Sequence, residues 1–161
     1  SAFAESALGL TKSVGDLAGA CLFATTMGIS RMLYGKFGEK IDLIKFMLIS
    51  GVICVVSYLL AGLSAMPIWG LAGCVMCGFS VGIMWPGSIS ITAPRIPKGG
   101  TALFALLAMA GDMGGAFGPS VVGYFSQHAG DNLQAGLLTG CIFPLIMLAT
   151  LIAMKKMTPE G

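Results

Sequence analysis

Long stretches with almost no charged side chain, separated by three compact groups of basic residues, dominate this sequence. Eight of the nine lysines and arginines fall in these groups. The groups are Arg31/Lys36/Lys40/Lys45, Arg95/Lys98 and Lys155/Lys156. Between one group and the next, the chain is long enough to cross a bilayer and return. Because cytoplasmic loops of membrane proteins collect lysine and arginine, the pattern predicts a polytopic membrane protein whose basic loops face the cytoplasm.

Five segments are long and apolar enough to span a membrane. A span needs about 20 mostly apolar residues, because a helix rises about 1.5 Å per residue and the hydrocarbon core is about 30 Å thick. Backbone groups in lipid find no water, so these segments must be helical. We therefore expect an all-α polytopic fold in which residues 1–161 form one membrane unit. The spans are predicted at about 13–34, 42–63, 67–93, 101–125 and 133–154, with the N-terminus of the chain outside and the C-terminus cytoplasmic.

The composition argues against several classes of function. Charged residues make up 10% of the chain, against about 25% in soluble domains, so no soluble catalytic domain is expected. Aromatic and basic residues are not interleaved, which argues against nucleic-acid binding. One C-x-x-C pair, Cys74/Cys77, has no second pair to complete a metal site, and the single histidine, His128, leaves no Ser–His pair at membrane depth. We predict no enzymatic activity, no cofactor and no metal.

Glycine spacing separates two kinds of span. Segments 42–63 and 133–154 are apolar all round, as expected of helices that face lipid. The other three carry small residues four apart, a spacing that lets helix backbones approach closely. These pairs are Gly15/Gly19, Gly78/Gly82, Gly111/Gly115 and Gly114/Gly118. We expect these three spans to form the packed, mobile interior.

Asp112 is the main candidate for a functional residue. It follows Gly100 by 12 residues, or about 18 Å of helix, which is near the middle of the membrane. A carboxylate there costs about 3 kcal/mol on insertion scales, so it requires a partner, a cavity or a proton. It could bind a coupling proton or cation, or accept a hydrogen bond from a polar substrate. The structural alternative is an ion pair with a basic residue on another helix.

Other candidates surround this carboxylate or lie near the membrane surfaces. Glycines and a proline follow Asp112 closely and are expected to serve as a hinge or packing surface; they are Gly111, Gly114, Gly115, Gly118 and Pro119. Trp85, beside Pro86, could contact substrate or be an interfacial aromatic residue. Asp16, about one turn inside the first span, could lie at the mouth of a cavity or simply reach water.

Residues 28–40 resemble the second copy of the cytoplasmic loop motif G-x-x-x-D-R-x-G-R-R of the major facilitator superfamily. Lys36, Gly38 and Lys40 match its basic and glycine positions, whereas Arg31, Gly35 and Glu39 depart from it. The resemblance implies that Arg31, Lys36, Gly38 and Lys40 belong to a gating loop between helices 8 and 9. Residues 82–86 and 114–119 are also similar to helices 10 and 11 of fucose-permease-like sugar transporters.

The resemblance implies that the five spans are helices 8 to 12 of a twelve-helix secondary active transporter. Such a protein would move a small polar solute, with a sugar as the candidate, across the cell membrane by alternating access. The expected mode is symport with H+ or Na+, in a lipid bilayer, with the N-terminal half of the transporter as a missing partner. Helices 8, 10 and 11 would surround the cavity. The alternative is a non-transporting membrane assembly or receptor subunit that uses its glycine-rich helices for packing.

Overall fold

The computed structural model describes residues 12–38, 41–63, 67–130 and 132–157, and within these ranges it contains helices and no strand. The all-α expectation is confirmed. The helices are α1 (Lys12–Phe37), α2 (Leu43–Leu63), α3 (Pro67–Val81), α4 (Met84–Arg95), α5 (Gly100–His128), α6 (Leu133–Gly140) and α7 (Ile142–Met157). Helix α1 has 26 residues, more than the length a span needs. It is not among the rods in the described ranges that are both long and apolar enough to cross a membrane, which are four: α2, α3 with α4, α5, and α6 with α7. The expected span at 13–34 therefore stays a prediction.

Two of these rods are interrupted by a short turn. The first interruption lies at Gly82–Ile83, between α3 and α4, and the second at Cys141, between α6 and α7. Each precedes a proline, Pro86 or Pro144. Proline has no N–H to donate to the carbonyl four residues earlier, and its ring clashes with that carbonyl, so the helix bends there.

The residue four positions before each of these prolines is a glycine, Gly82 or Gly140. Glycine lets the backbone turn away from the proline ring with the least steric conflict. The same spacing recurs in α5, where Gly115 precedes Pro119, and there the helix is continuous. The prolines therefore bend two rods, and they leave α5 as a helix of 29 residues.

Contacts at glycines give the relative directions of the helices. A Cβ added at Gly73 would lie 2.9 Å from the carbonyl oxygen of Ser57, whereas one added at Gly87 would lie 2.7 Å from the sulfur of Met47. Because the contact on α2 moves toward its N-terminus as the chain advances from 73 to 87, α2 runs antiparallel to α3 and α4. Successive rods thus alternate in direction, as expected of a chain that crosses and recrosses a membrane.

Helix α2 lies at the centre of the described residues and packs against α3, α4, α6 and α7. This differs from the expectation that segment 42–63 faces lipid on all sides. Its buried residues are Met47, Ser50, Gly51, Cys54, Ser57, Ala61 and Gly62. Their spacing of three and four puts these mostly small side chains on one face, so neighbouring helices can approach closely. A buried apolar cluster, Met47 with Ile91 and Leu151, lies where α2, α4 and α7 meet.

Helix α5 has the opposite character, because none of its residues is buried. It packs mainly along α6 and makes a smaller contact with α4. A Cβ at Gly136 of α6 would lie 2.5 Å from the carbonyl oxygen of Val122, so the C-terminal half of α5 is held closely against α6. The N-terminal half of α5 stands away from the other described helices, with the exception of its contact with α4.

Candidate functional site

The bend between α3 and α4 sets the position of Trp85. Ile83, inside the bend, is fully buried, and Gly87 packs against Met47 of α2. Trp85 lies between these two anchored residues on the opposite side of α4 and is 42% exposed. Its ring contacts Gly111 of α5: a Cβ added there would lie 2.9 Å from the ring atom Cζ3. A contact between α4 and the N-terminal half of α5 is therefore made by a residue that the sequence singles out.

Asp112 is the next residue along α5, so the structure brings it close to Trp85. Its side chain is exposed, and among the described residues it has no ion pair or hydrogen bond. Of the two interpretations left open by the sequence, an ion pair within the chain has no support in this part of the structure. The carboxylate lies about 18 Å along the helix from Gly100 and is uncovered by the rest of the described chain.

Small side chains surround Asp112 on its own helix. Residues three, four and seven positions away share a helical face. On α5 these positions are Ala105, Ala108, Met109, Gly115, Ala116 and Pro119, and all are exposed. The result is an apolar strip of mostly small residues, with the longer Met109 among them, one carboxylate near its middle and an indole ring at its edge. Such a surface can bind a cation or a hydrogen-bond donor against a largely apolar background.

Hydroxyl groups near Trp85 are already engaged with their own helix. The Oγ of Ser88 donates to the carbonyl oxygen of Met84 at 2.7 Å, and the Oγ1 of Thr92 donates to that of Ser88 at 2.7 Å. Bonds of this kind to the preceding turn satisfy the hydroxyl and often accompany a bend in the helix. The hydroxyl protons of Ser88 and Thr92 are thus used within α4, whereas Trp85 still offers its indole N–H.

The other glycines of α5 do not pack against a neighbour. A Cβ at Gly114, Gly115 or Gly118 would meet nothing within 4 Å, whereas Gly78 and Gly82 of the third span pack closely against α1. Gly114, Gly118 and Pro119 border an open cavity of about 480 Å³ that is also lined by Tyr58, Val122, Leu137 and Phe143. The proposed packing and hinge role of the α5 glycines therefore stays a prediction.

A second cavity was missed by sequence reasoning. Its volume is about 250 Å³, and residues of α1, α2, α3 and α6 line it, among them Phe23, Tyr58, Cys74, Cys77 and Leu137. Its walls are almost wholly apolar. Each of these helices contributes only one or a few residues, and they come from distant parts of the sequence. No local sequence pattern therefore predicts this cavity.

The expected gating loop is described in part. Lys36 lies in the last turn of α1, with its Nζ 5.6 Å from the ring centre of Phe37, and Gly38 follows against the ring of Tyr34. Lys40 lies outside the described residues, as does the side chain of Asp16, so their predicted roles stay predictions. Arg31 points elsewhere: its Nε donates to the carbonyl oxygen of Gly82, 3.2 Å away.

After the loop, Asp42 caps the start of α2. Its Oδ1 accepts the N–H of Ile44 at 3.1 Å and that of Lys45 at 3.2 Å, and its Oδ2 lies 3.1 Å from the Lys45 Nζ. The pKa of the Asp42 carboxyl is held below its usual range, mainly by the hydrogen bond from the backbone N–H of Lys45 and next by the Lys45 side chain. This carboxylate stabilises the first turn of α2.

No group of three or more histidine, cysteine or acidic side chains within the described ranges could hold a metal ion. The site built by Trp85, Gly111 and Asp112 therefore consists of a single charge and an aromatic ring on two neighbouring helices.

The sequence profile of the Major Facilitator Superfamily matches residues 1–160. The chain belongs to the major facilitator superfamily. The expected membership in this superfamily is confirmed, and the chain is an integral membrane protein.

The chain is also similar in sequence to two curated proteins. Both are named multi-drug resistance efflux pump PmrA, from the TIGR4 and R6 strains of Streptococcus pneumoniae, and both are 27% identical to the chain over 159 residues. The alignment covers 92% of this chain and 39% of each relative. The chain thus spans about two fifths of the length of the curated relatives it matches. No solved structure matches it significantly.

Proposed function

We propose that this superfamily chain contributes helices to a transporter that exports small organic molecules across the cell membrane, with Asp112 at its binding or coupling site. The observation that carries the proposal is the exposed carboxylate of Asp112, near the middle of α5 and beside the contact of Trp85 with Gly111. A membrane-depth carboxylate without a partner in the described chain needs a proton, a cation or a hydrated cavity.

The proposed substrates are amphipathic organic cations. A carboxylate attracts the charge, an indole face binds cations, and the exposed Met109 offers a polarisable apolar surface. The names of the two relatives as efflux pumps favour export over the symport that we expected from the sequence. A sugar is the alternative substrate. It is less well served by this site, because the hydroxyls of Ser88 and Thr92 bond to their own helix.

The proposed mechanism is alternating access driven by exchange of the exported compound for H+ or Na+ at Asp112. Protonation or cation binding neutralises the carboxylate, which removes the cost of holding it in an apolar surrounding and releases a bound organic cation. The basic loops face the cytoplasm in this arrangement, so the C-terminus is cytoplasmic and the N-terminus of the chain is outside. The bends at Pro86 and Pro144 are sites at which the rods can flex.

The test is transport of ethidium in inside-out vesicles that contain the complete protein, with and without an imposed pH gradient. Asp112→Asn keeps the size of the side chain and removes its charge. We expect this variant to lose gradient-driven accumulation, and Asp112→Glu to retain part of it. Asp42→Asn is the matched control, because it removes a carboxylate from an exposed loop.

Undiminished, pH-dependent accumulation by Asp112→Asn would remove this carboxylate from the mechanism. Accumulation of a sugar but not of ethidium by the unchanged protein would favour the alternative substrate. If reconstituted protein moved neither probe, while remaining folded, the non-transporting assembly or receptor subunit would become the better hypothesis.

A further inference from the structure

Pro86 leaves one carbonyl group of the third span without its helical donor. In an unbroken helix the carbonyl of Gly82 would accept the N–H of residue 86, and proline has none. A backbone carbonyl without a donor is costly in a membrane, because no water is present to replace the lost hydrogen bond. The bend at Gly82–Ile83 therefore requires a donor from elsewhere.

Arg31 of α1 supplies that donor. Its Nε donates to the Gly82 carbonyl at 3.2 Å, across a separation of 51 residues in the sequence. The approach depends on the absence of a side chain at position 82. A Cβ there would lie 2.7 Å from the carbonyl oxygen of Met27 and 2.9 Å from the Cβ of Ser30. Gly82 thus lets α1 come close and presents its carbonyl to the arginine.

The hydrogen bond acts at the point from which α4 departs. Gly82 is followed after three residues by Trp85, whose ring rests on Gly111 next to Asp112. The direction of the Gly82 carbonyl fixes the plane of the peptide that opens the bend, since the peptide group is rigid. Holding this carbonyl on α1 therefore constrains the direction of α4, and with it the place of the indole ring.

We propose that Arg31 is a positioning residue: its hydrogen bond to the Gly82 carbonyl holds the Pro86 bend in the geometry that sets Trp85 against Gly111. In the superfamily motif Arg31 is a departure, and the sequence suggested only a gating-loop charge. The inference rests on the proposed function only in assigning Trp85 a role in transport. The hydrogen bond and its effect on the position of Trp85 do not depend on that role.

The experiment uses the complete protein labelled with 5-fluorotryptophan in detergent micelles, with the Trp85 resonance assigned by its loss in Trp85→Phe. Arg31→Met removes the donor and keeps a long side chain. Arg95→Met is the matched control: it removes a positive charge from the same side of the membrane, but its Nη1 bonds to Ile91 of its own helix at 3.1 Å. Pro86→Ala restores an N–H that can serve the Gly82 carbonyl without help from α1.

We expect Arg31→Met to shift or broaden the Trp85 fluorine resonance and to lower the melting temperature, because the Gly82 carbonyl loses its donor. Arg95→Met should leave the resonance in place. In the Pro86→Ala background, Arg31→Met should change neither the resonance nor the melting temperature, because the carbonyl has its own donor. If Arg31 acted only as a surface charge, its substitution would have the same effect in both backgrounds, so coupling of the two substitutions distinguishes the hydrogen bond from a charge effect.

An unchanged Trp85 resonance in Arg31→Met, or equal effects of Arg31→Met with and without Pro86, would overturn the proposal. If Arg31→Met does not fold, the double variant with Pro86→Ala must fold, and its failure to do so also overturns the proposal. None of these readouts involves transport. A protein that fails to transport ethidium can still show the coupling, so failure of the proposed function and failure of this inference are distinguishable.

Discussion

The close contact between α1 and α3 at Gly78 makes a quantitative prediction about substitution by alanine. A Cβ at position 78 would lie 2.5 Å from the Oγ1 of Thr26 and 2.6 Å from the carbonyl oxygen of Phe23. The threonine side chain is held by hydrogen bonds to Leu22 and Phe23 at 3.0 Å, and the carbonyl is part of the helix backbone. Neither can move aside alone, so the helices must separate.

The separation required is about 0.8 Å, because a carbon and a carbonyl oxygen rest at about 3.4 Å. Overpacking of this kind costs about 1–3 kcal/mol, whereas replacing glycine by alanine inside a helix gains about 1 kcal/mol. Gly28→Ala is the matched control on α1, since a Cβ there meets nothing within 4 Å. Both variants share the gain in helix propensity, so their difference isolates the packing cost.

We therefore expect Gly78→Ala to melt below Gly28→Ala by at least about 2–4 °C, the equivalent of 1 kcal/mol in a chain of this size. The assay is thermal unfolding in detergent micelles, followed by the fraction that remains monodisperse on size-exclusion chromatography after heating. If the two variants melt together, α1 and α3 are not as close as described, and the argument from the glycine contact fails.

Two further predictions concern polar groups at the ends and in the interior of α1 and α2. Asp42→Ala should speed amide exchange of the first turn of α2. Because the folded pKa of Asp42 is lowered, the unsubstituted protein should keep this protection at neutral pH and lose it only as the pH falls through that lowered pKa, below the usual range of aspartate. Ser30 is 1% exposed, and its hydroxyl has no hydrogen-bond partner in the described structure. Ser30→Ala should therefore leave the melting temperature unchanged or raise it, and a clear fall would reveal an unseen partner.

The helices and their alternating directions could be predicted from the sequence, because each depends on a local run of apolar residues. The role of Gly78 and Gly82 in close packing was also correctly predicted from their spacing. The central place of α2 was missed, although a signal exists: Ser50, Cys54 and Ser57 recur at helical spacing among larger side chains. The mean hydropathy of the segment does not reveal such a face, since small residues hardly alter that average.

The candidate site was only partly predictable. Asp112 and Trp85 stand out because a charge at membrane depth and an aromatic residue beside a proline are rare in their segments. Their proximity depends on how α4 leaves its bend, which involves a hydrogen bond from Arg31, 51 residues before its partner. A pairing over such a distance has no local pattern. The missing N–H of Pro86 predicts that some donor is needed, but not which helix provides it.

The exposure of α5 to its surroundings has a consequence for how the protein inserts into the membrane. It is the least apolar of the four rods that can span a membrane, and it carries a carboxylate that adds about 3 kcal/mol to the free energy of insertion. The rod formed by α6 and α7 follows after a short loop and is among the most apolar. Their tight contact at Gly136 allows the two rods to enter the bilayer together as a helical hairpin. The weakest span of the chain would thus enter the lipid together with one of its strongest.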